Sequence, residues 1–288
     1  MDDRALLEVI GDIIGKNCCL DDCAVFSCQG HELVATTDML HSSSDFPERM
    51  TDWQIGWMSA AVTLSDIAAM GAAPLMLLLA IGLDRPGRLN DIMKGAEDCC
   101  ISVGTHVAGG DIDHHEELTI VSSGIGYGKT GPVVRRSGSR PGDHIGITGT
   151  PGCAQAALSG FTEFDRALLE PKPRIGEGMA LASAGATSMM DISDGLSLSL
   201  YDMLAANPCG YAIRSSEISG PPGIPRNLAL PMALFGGGDF ELLFTLPADS
   251  HLVPGVAYTI IGEVIPQRIV LLDGTPMEKR GYQHTWDL

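Results

Sequence analysis

Asp66 limits how this chain can fold more than any other residue. It stands in TLSDIAAMGAAPLMLLLAIGL, residues 63–83, where its neighbours are apolar or small. The spacing of Trp53, Trp57, Ala61, Leu64 and Ala68 predicts a helix that starts from a cap at Thr51 or Asp52 and runs to Met70. Gly71 suits the position just past its end. A carboxylate buried unpaired on such a helix costs several kcal/mol. Something cationic must meet it, and only five of the 18 basic residues are lysines.

Apolar spacing predicts further helices over residues 3–14 and 88–104, and strands over 24–27, 32–37, 75–83 and 117–126. This order suits an α+β unit with helices packed on one sheet. Residues 135–143, RRSGSRPGD, are polar and carry Gly and Pro, which divides the chain into 1–134 and 135–288. In the second part, strands are expected at 143–148, up to Ile192, and at 240–246, 258–264 and 269–272. Helices are expected from Pro151, up to about Gly185, and over 195–206.

The net charge of −18 argues against nucleic-acid binding, which needs a positive field, and against anionic membrane surfaces. The longest apolar run, 72–83, is broken by Pro74 and Gly82 and is too short to span a bilayer. The N-terminus has no basic stretch followed by an apolar one, so no signal peptide is expected. None of the eight cysteines forms a CxxC pair, which disfavours a zinc knuckle and leaves reduced thiols in the cytoplasm as the expectation.

Two sequence features are decoys. Gly128-Lys129-Thr130 invites a phosphate-loop reading, but Ser123 holds the place of that motif's first glycine, and Gly131-Pro132 follows. A hairpin between strands is the expectation there. His114-His115 beside Asp113, Glu116 and Glu117 reads as a solvated acidic loop.

Asp22, Asp38, Asp66, Asp111 and Asp194 lie at strand ends, in loops or in apolar surroundings. Ligand groups of αβ proteins concentrate in such places. Asp194 could equally cap the helix after it, and Asp111 could simply turn the chain. Two carboxylates ~4 Å apart repel by roughly 4 kcal/mol at an effective dielectric of 20. A cluster of them makes physical sense around a hard, oxygen-seeking ion such as Mg²⁺.

The ordered series TTDMLHSSSDF, TLSDIAAMGAAP, AGGD, RSGSRPGD, TGTPG, DISDGL and GGGDFELLFT resembles the thiamine-monophosphate kinases, of the aminoimidazole-ribonucleotide-synthetase-like superfamily. The resemblance runs from about Asp21 to the closing GYQH. It implies a two-domain α+β fold: an N-terminal sheet with helices on one face that pairs in a homodimer, then a C-terminal αβ domain. It implies ATP-dependent phosphorylation of thiamine monophosphate to thiamine diphosphate. By position in the motifs, Asp22, Thr36, Thr37, Asp38, Asp66, Asp111, Asp191 and Asp194 would hold several Mg²⁺ ions. Gly110, Asp111, Arg136 and Ser193 would contact ATP, with Asp66, Asp111 and Asp194 central to transfer.

The sequence departs from the family on the acceptor side. Asp45 stands where the family has a substrate-binding His, and Gly238 where it has a substrate-binding Glu. Leu20 replaces a Gly of the family's GDD, and a small residue near Ser102 replaces an aromatic. Tyr282 and Trp286 could supply aromatic stacking, or be a tail docked on the core. Two other readings stay open: a paralogous kinase of another small acceptor, and a nucleotide-binding partner protein without turnover.

Overall fold

The computed structural model describes residues 3–129, 131–250 and 253–284. An N-terminal helix α1 (Asp3–Ile14) leads into β1 (Ala24–Cys28) and β2 (His31–His41). Then come α2 (Asp52–Ala69), β3 (Ala73–Leu83), α3 (Leu89–Ser102), β4 (Val107–His114) and β5 (Thr119–Tyr127). These five strands form one sheet in the order β1-β2-β5-β3-β4, antiparallel except for the β3–β4 pair. The parallel pair is joined through α3, as a parallel connection requires.

A linker leads to β6 (His144–Thr148), α4 (Cys153–Leu158), α5 (Asp165–Leu169), α6 (Ile175–Ser183) and β7 (Ser188–Ile192). The chain continues through α7 (Leu196–Ala206), β8 (Gly210–Ile213), α8 (Arg226–Phe235) and β9 (Glu241–Leu246). It closes with β10 (Tyr258–Ile265), β11 (Val270–Leu272) and β12 (Thr275–Pro276). Strands β6 to β12 make a second sheet in the order β12-β11-β8-β10-β6-β9-β7.

Helix α2 connects the two sheets. Thr51 caps it: its hydroxyl accepts from the N–H of Gln54, whose side chain accepts from the Thr51 N–H in return. Residues around its whole circumference are buried, as expected of a helix packed on every side. Against α3 the two backbones touch. A Cβ on Gly56 would lie 1.8 Å from the Ile92 carbonyl oxygen, and one on Gly95 would lie 1.8 Å from that of Trp53. Against the first sheet, Gly124 of β5 admits Thr63 and Ile67, which a Cβ there would meet at 2.8 Å. Against α6, a Cβ on Gly178 would lie 2.2 Å from the Ala68 oxygen.

Several expectations need correction. Residues 107–114 are a strand, not a turn: β4 pairs with β3, and Asp113 and His114 belong to it. Gly128 does not start a hairpin, because the next strand is β6 of the other sheet. Helix α4 starts at Cys153, not Pro151, since Gly152 takes a left-handed conformation at φ 91. Among the described residues no helix is long and apolar enough to cross a membrane.

Candidate functional site

Carboxylates from three separate elements converge where α2 meets both sheets. Asp22 precedes β1, Asp66 lies in the last turn of α2, and Asp191 lies in β7. One oxygen from each falls within 4.8 Å of the others. Hydroxyls fix their orientation. Thr36 Oγ1 donates to Asp66 Oδ2 at 2.5 Å, and Ser65 Oγ to Asp191 Oδ2 at 2.6 Å. Asp38 is held beside them by Thr63, whose Oγ1 donates to Asp38 Oδ2 at 2.7 Å.

Burial and mutual repulsion leave Asp38, Asp66 and Asp191 reluctant to ionise. Burial pushes the Asp191 carboxyl up to about 7, with the charge of Asp22 adding to it. Asp66 is driven well above the usual carboxylate range by burial and then by Asp38, Asp191 and Asp22. Asp38 is raised by burial and Asp22, against the opposing Thr63 hydrogen bond. Such a group of oxygens lowers its energy most by sharing a divalent cation. The donor set is all oxygen, which fits Mg²⁺ and not a softer metal.

Arg136 supplies a fixed cation at the edge. Its Nε and Nη2 donate to the two oxygens of Asp22, at 3.1 and 2.6 Å. Burial opposes the guanidinium charge, but Asp22 overrides it and holds the pKa above the ordinary arginine value.

The loop before α7 brings Ser193 and Asp194 to the same mouth. Gly238 N donates to the Ser193 oxygen at 2.7 Å, and Tyr282 N donates to the Asp194 oxygen at 2.9 Å. A Cβ on Gly237 would come within 3.1 Å of the Tyr282 Cβ. Ser193, Asp194, Gly238 and Tyr282 therefore meet in space. Trp286 lies outside the described residues.

Three of the expected site residues are placed differently. Asp45 accepts from the His41 N–H at 2.8 Å and the Ser44 hydroxyl at 2.7 Å, so its carboxylate closes its own loop. Thr37 turns to the opposite face of the sheet from Thr36 and bonds Ser123 Oγ at 2.9 Å. Asp111 is exposed on that same opposite face, lining a small cavity of about 190 Å³ with Ala80, Gly82, Asp113, Thr119 and Val121. Neighbouring Gly110 is obligatory, since a Cβ there would lie 1.7 Å from the Leu79 oxygen.

Sequence reasoning missed Ser65, Thr63 and Asp239. The first two stand beside Asp66 in the same motif and carried a signal in their helical spacing. Asp239 anchors the loop before α4, accepting from Gly152 N at 2.5 Å and Ala154 N at 2.9 Å. Burial pushes its carboxyl up to about 7 against those two bonds.

Residues 20–128 match the family described as AIR synthase related protein, N-terminal domain. The thiamine-monophosphate kinase of Methanospirillum hungatei is 51% identical over 286 residues, covering 99% of this chain and 100% of that protein. The thiamine-monophosphate kinase of Halobacterium salinarum is 37% identical, covering 99% of this chain and 100% of that protein. The solved structure of AaThiL complexed with AMPPCP and TMP superposes with a TM-score of 0.91 at 26% identity, covering 99% of this chain and 97% of that one.

Proposed function

Because the chain belongs to the thiamine-monophosphate kinase family, we propose that it transfers the terminal phosphoryl group of ATP to thiamine monophosphate, giving ADP and thiamine diphosphate. The observation that carries this reading is the convergence of Asp22, Asp66 and Asp191 on one point, in a chain 51% identical to such a kinase over nearly its whole length.

Asp22, Asp66 and Asp191 would hold Mg²⁺, with Asp38, Thr36 and Asp194 at the border of the same site. Bound there, the ions neutralise and polarise phosphate oxygens, which is the main demand of phosphoryl transfer. Thr36 and Ser65 keep the carboxylate oxygens aimed inward. Arg136, whose Nε and Nη2 are taken by Asp22, keeps its charge and Nη1 for the nucleotide phosphates. The Ser193 and Asp194 loop receives the nucleotide next to Gly238 and Tyr282, which border the acceptor. The acceptor is itself a phosphate monoester, whose second pKa is ~6 by analogy with phosphoserine. It is already an anionic nucleophile at neutral pH, so transfer to it does not require a His or Lys base.

Asp111 and Thr37 face away from this cluster, and we assign them, with Gly110 next to Asp111 in the strand, to the site of a partner subunit. The same sheet face exposes Phe26, Met39 and Leu78, and an apolar patch of this kind marks an interface. A homodimer joined there would complete each site in trans. The two separate sheets support a division into a 1–134 nucleotide-binding and dimerising domain and a 135–288 domain. The reaction draws on ATP, which supports a cytoplasmic setting.

A coupled assay of ADP release tests the reading, with thiamine monophosphate set against thiamine and an aminoimidazole ribotide. Turnover confined to thiamine monophosphate is expected. Turnover with another acceptor alone would move the protein to a paralogous kinase, and Mg²⁺-dependent nucleotide binding with no turnover would make it a binding partner.

A further inference from the structure

Helix α1 reaches the site through one side chain. Arg4 Nε donates to Asp202 Oδ1 at 2.9 Å and Nη2 to Asp202 Oδ2 at 2.6 Å, a bidentate pair with α7. The same Nη2 stands 3.5 Å from Asp194 Oδ2. The Arg4 side chain is 17% exposed, Asp202 24% and Asp194 39%. Apart from this anchor α1 offers mostly exposed apolar residues, among them Val9, Ile13 and Ile14. Those side chains do not explain why an arginine is carried to the mouth of an acidic site.

The geometry does. Asp202 takes Nε and one edge of Nη2, which fixes the plane of the guanidinium. The Nη2 contact to Asp194 is long for a hydrogen bond, although the Asp194 charge helps Asp202 to hold the guanidinium ionised. Nη1 makes no hydrogen bond among the described residues. Nη1 is therefore the donor left over, on a guanidinium held beside Asp194. Oxygens on neighbouring positions around an octahedral Mg²⁺ lie about 3 Å apart. A phosphate oxygen sharing an ion with Asp194 would fall within reach of that guanidinium.

We propose that Arg4, oriented by Asp202, is a nucleotide-phosphate ligand of this enzyme, and that α1 is thereby part of its ATP site. The proposal rests on the kinase reading above. Asp202 is a positioning residue for Arg4, and its charge also supports that of Arg136. Binding of the nucleotide also tethers α1, because the helix has little else to hold it.

Titration calorimetry with Mg²⁺ and AMPPCP tests this, alongside steady-state kinetics and limited proteolysis at the N-terminus. Arg4→Ala should weaken AMPPCP binding by about tenfold, the scale of one charge-assisted contact, and raise the KM for ATP while leaving that for thiamine monophosphate unchanged. Arg4→Lys should recover part of the affinity. Asp202→Asn should show at least the Arg4→Ala defect, and the double variant should be no worse than Asp202→Asn alone. AMPPCP should protect the wild-type N-terminus from proteolysis and leave that of Arg4→Ala exposed. Unchanged or tighter AMPPCP binding in both Arg4 variants, with wild-type binding intact, overturns the role of Arg4 alone. Wild-type protein that binds no Mg²⁺-AMPPCP overturns the kinase reading instead.

Discussion

Ser65 and Asp191 lie 126 positions apart in the chain and touch, the serine Oγ donating to the aspartate Oδ2 at 2.6 Å. The bond ties the last turns of α2 to a strand of the second sheet. Asp66, the next residue on α2, is thereby set opposite Asp191 before any ligand arrives.

Asp66→Asn should lower kcat by about a thousandfold or more, since it removes a ligand whose effect falls on the transition state. The fold should survive, because the metal-free site loses a poorly solvated acid. ADP release together with a thermal melt checks both. A variant with near wild-type turnover would sink the metal role of Asp66.

Stability of the metal-free protein should fall as pH rises from about 4 to 7. Asp191 and Asp239 each have a folded pKa of about 7, above the ordinary carboxylate value. In that window the folded chain holds protons that the unfolded chain has released. The favourable contribution is complete below the unfolded pKa and lost as pH rises through about 7. Mg²⁺ should reverse the share of the clustered acids Asp38, Asp66 and Asp191 but not that of Asp239, so its gain in Tm should be larger near pH ~8 than near pH ~5. Asp239→Asn should flatten the slope that remains in Mg²⁺. A Mg²⁺ effect equal at both pH values counts against shared ligation.

Mixing two inactive variants tests whether sites are completed across subunits. If Asp111 serves the partner's cluster, a dimer of one Asp66→Asn and one Asp111→Asn subunit contains one intact site. Random reassortment makes half the dimers mixed, so about a quarter of wild-type activity should return. Two dead parents giving a dead mixture, with exchange verified by mass spectrometry, would place Asp111 within its own subunit's site.

Gly238→Ala should lower Tm by a few degrees. The position has φ +89, which costs a residue with a Cβ on the order of 1–2 kcal/mol. The space itself is adequate, since the added carbon would meet the Ala154 Cβ at 3.4 Å. Restoring the family's Glu here therefore carries a backbone penalty, and Gly238→Glu should show the same loss in a melt. An unchanged Tm in both variants would mean that the loop relaxes.

Helix α2 was legible from sequence because its cap, its apolar spacing and Gly71 agree. Strand β4 was not. VAGGDIDH has no apolar alternation and is almost wholly exposed, so its strand character comes from pairing with β3, which only the fold supplies. That omission also hid the face of Asp111, since a side chain's direction follows from its register. Strand β8 is four residues long, and α8 contains Pro231, which argues against a helix when read locally. The acids of the site could be picked out one by one from their odd surroundings. Arg4 could not, because its partner Asp202 lies 198 positions away and nothing near it signals the pairing.

The glycine contact between α2 and α3 has a mechanical result. With backbones touching at Gly56 and Gly95, α2 cannot slide or roll on its neighbour without a collision. Asp66 is thus fixed to the first sheet, while Asp191 travels with the second. Any rocking of one half on the other must open or narrow the gap between those two acids.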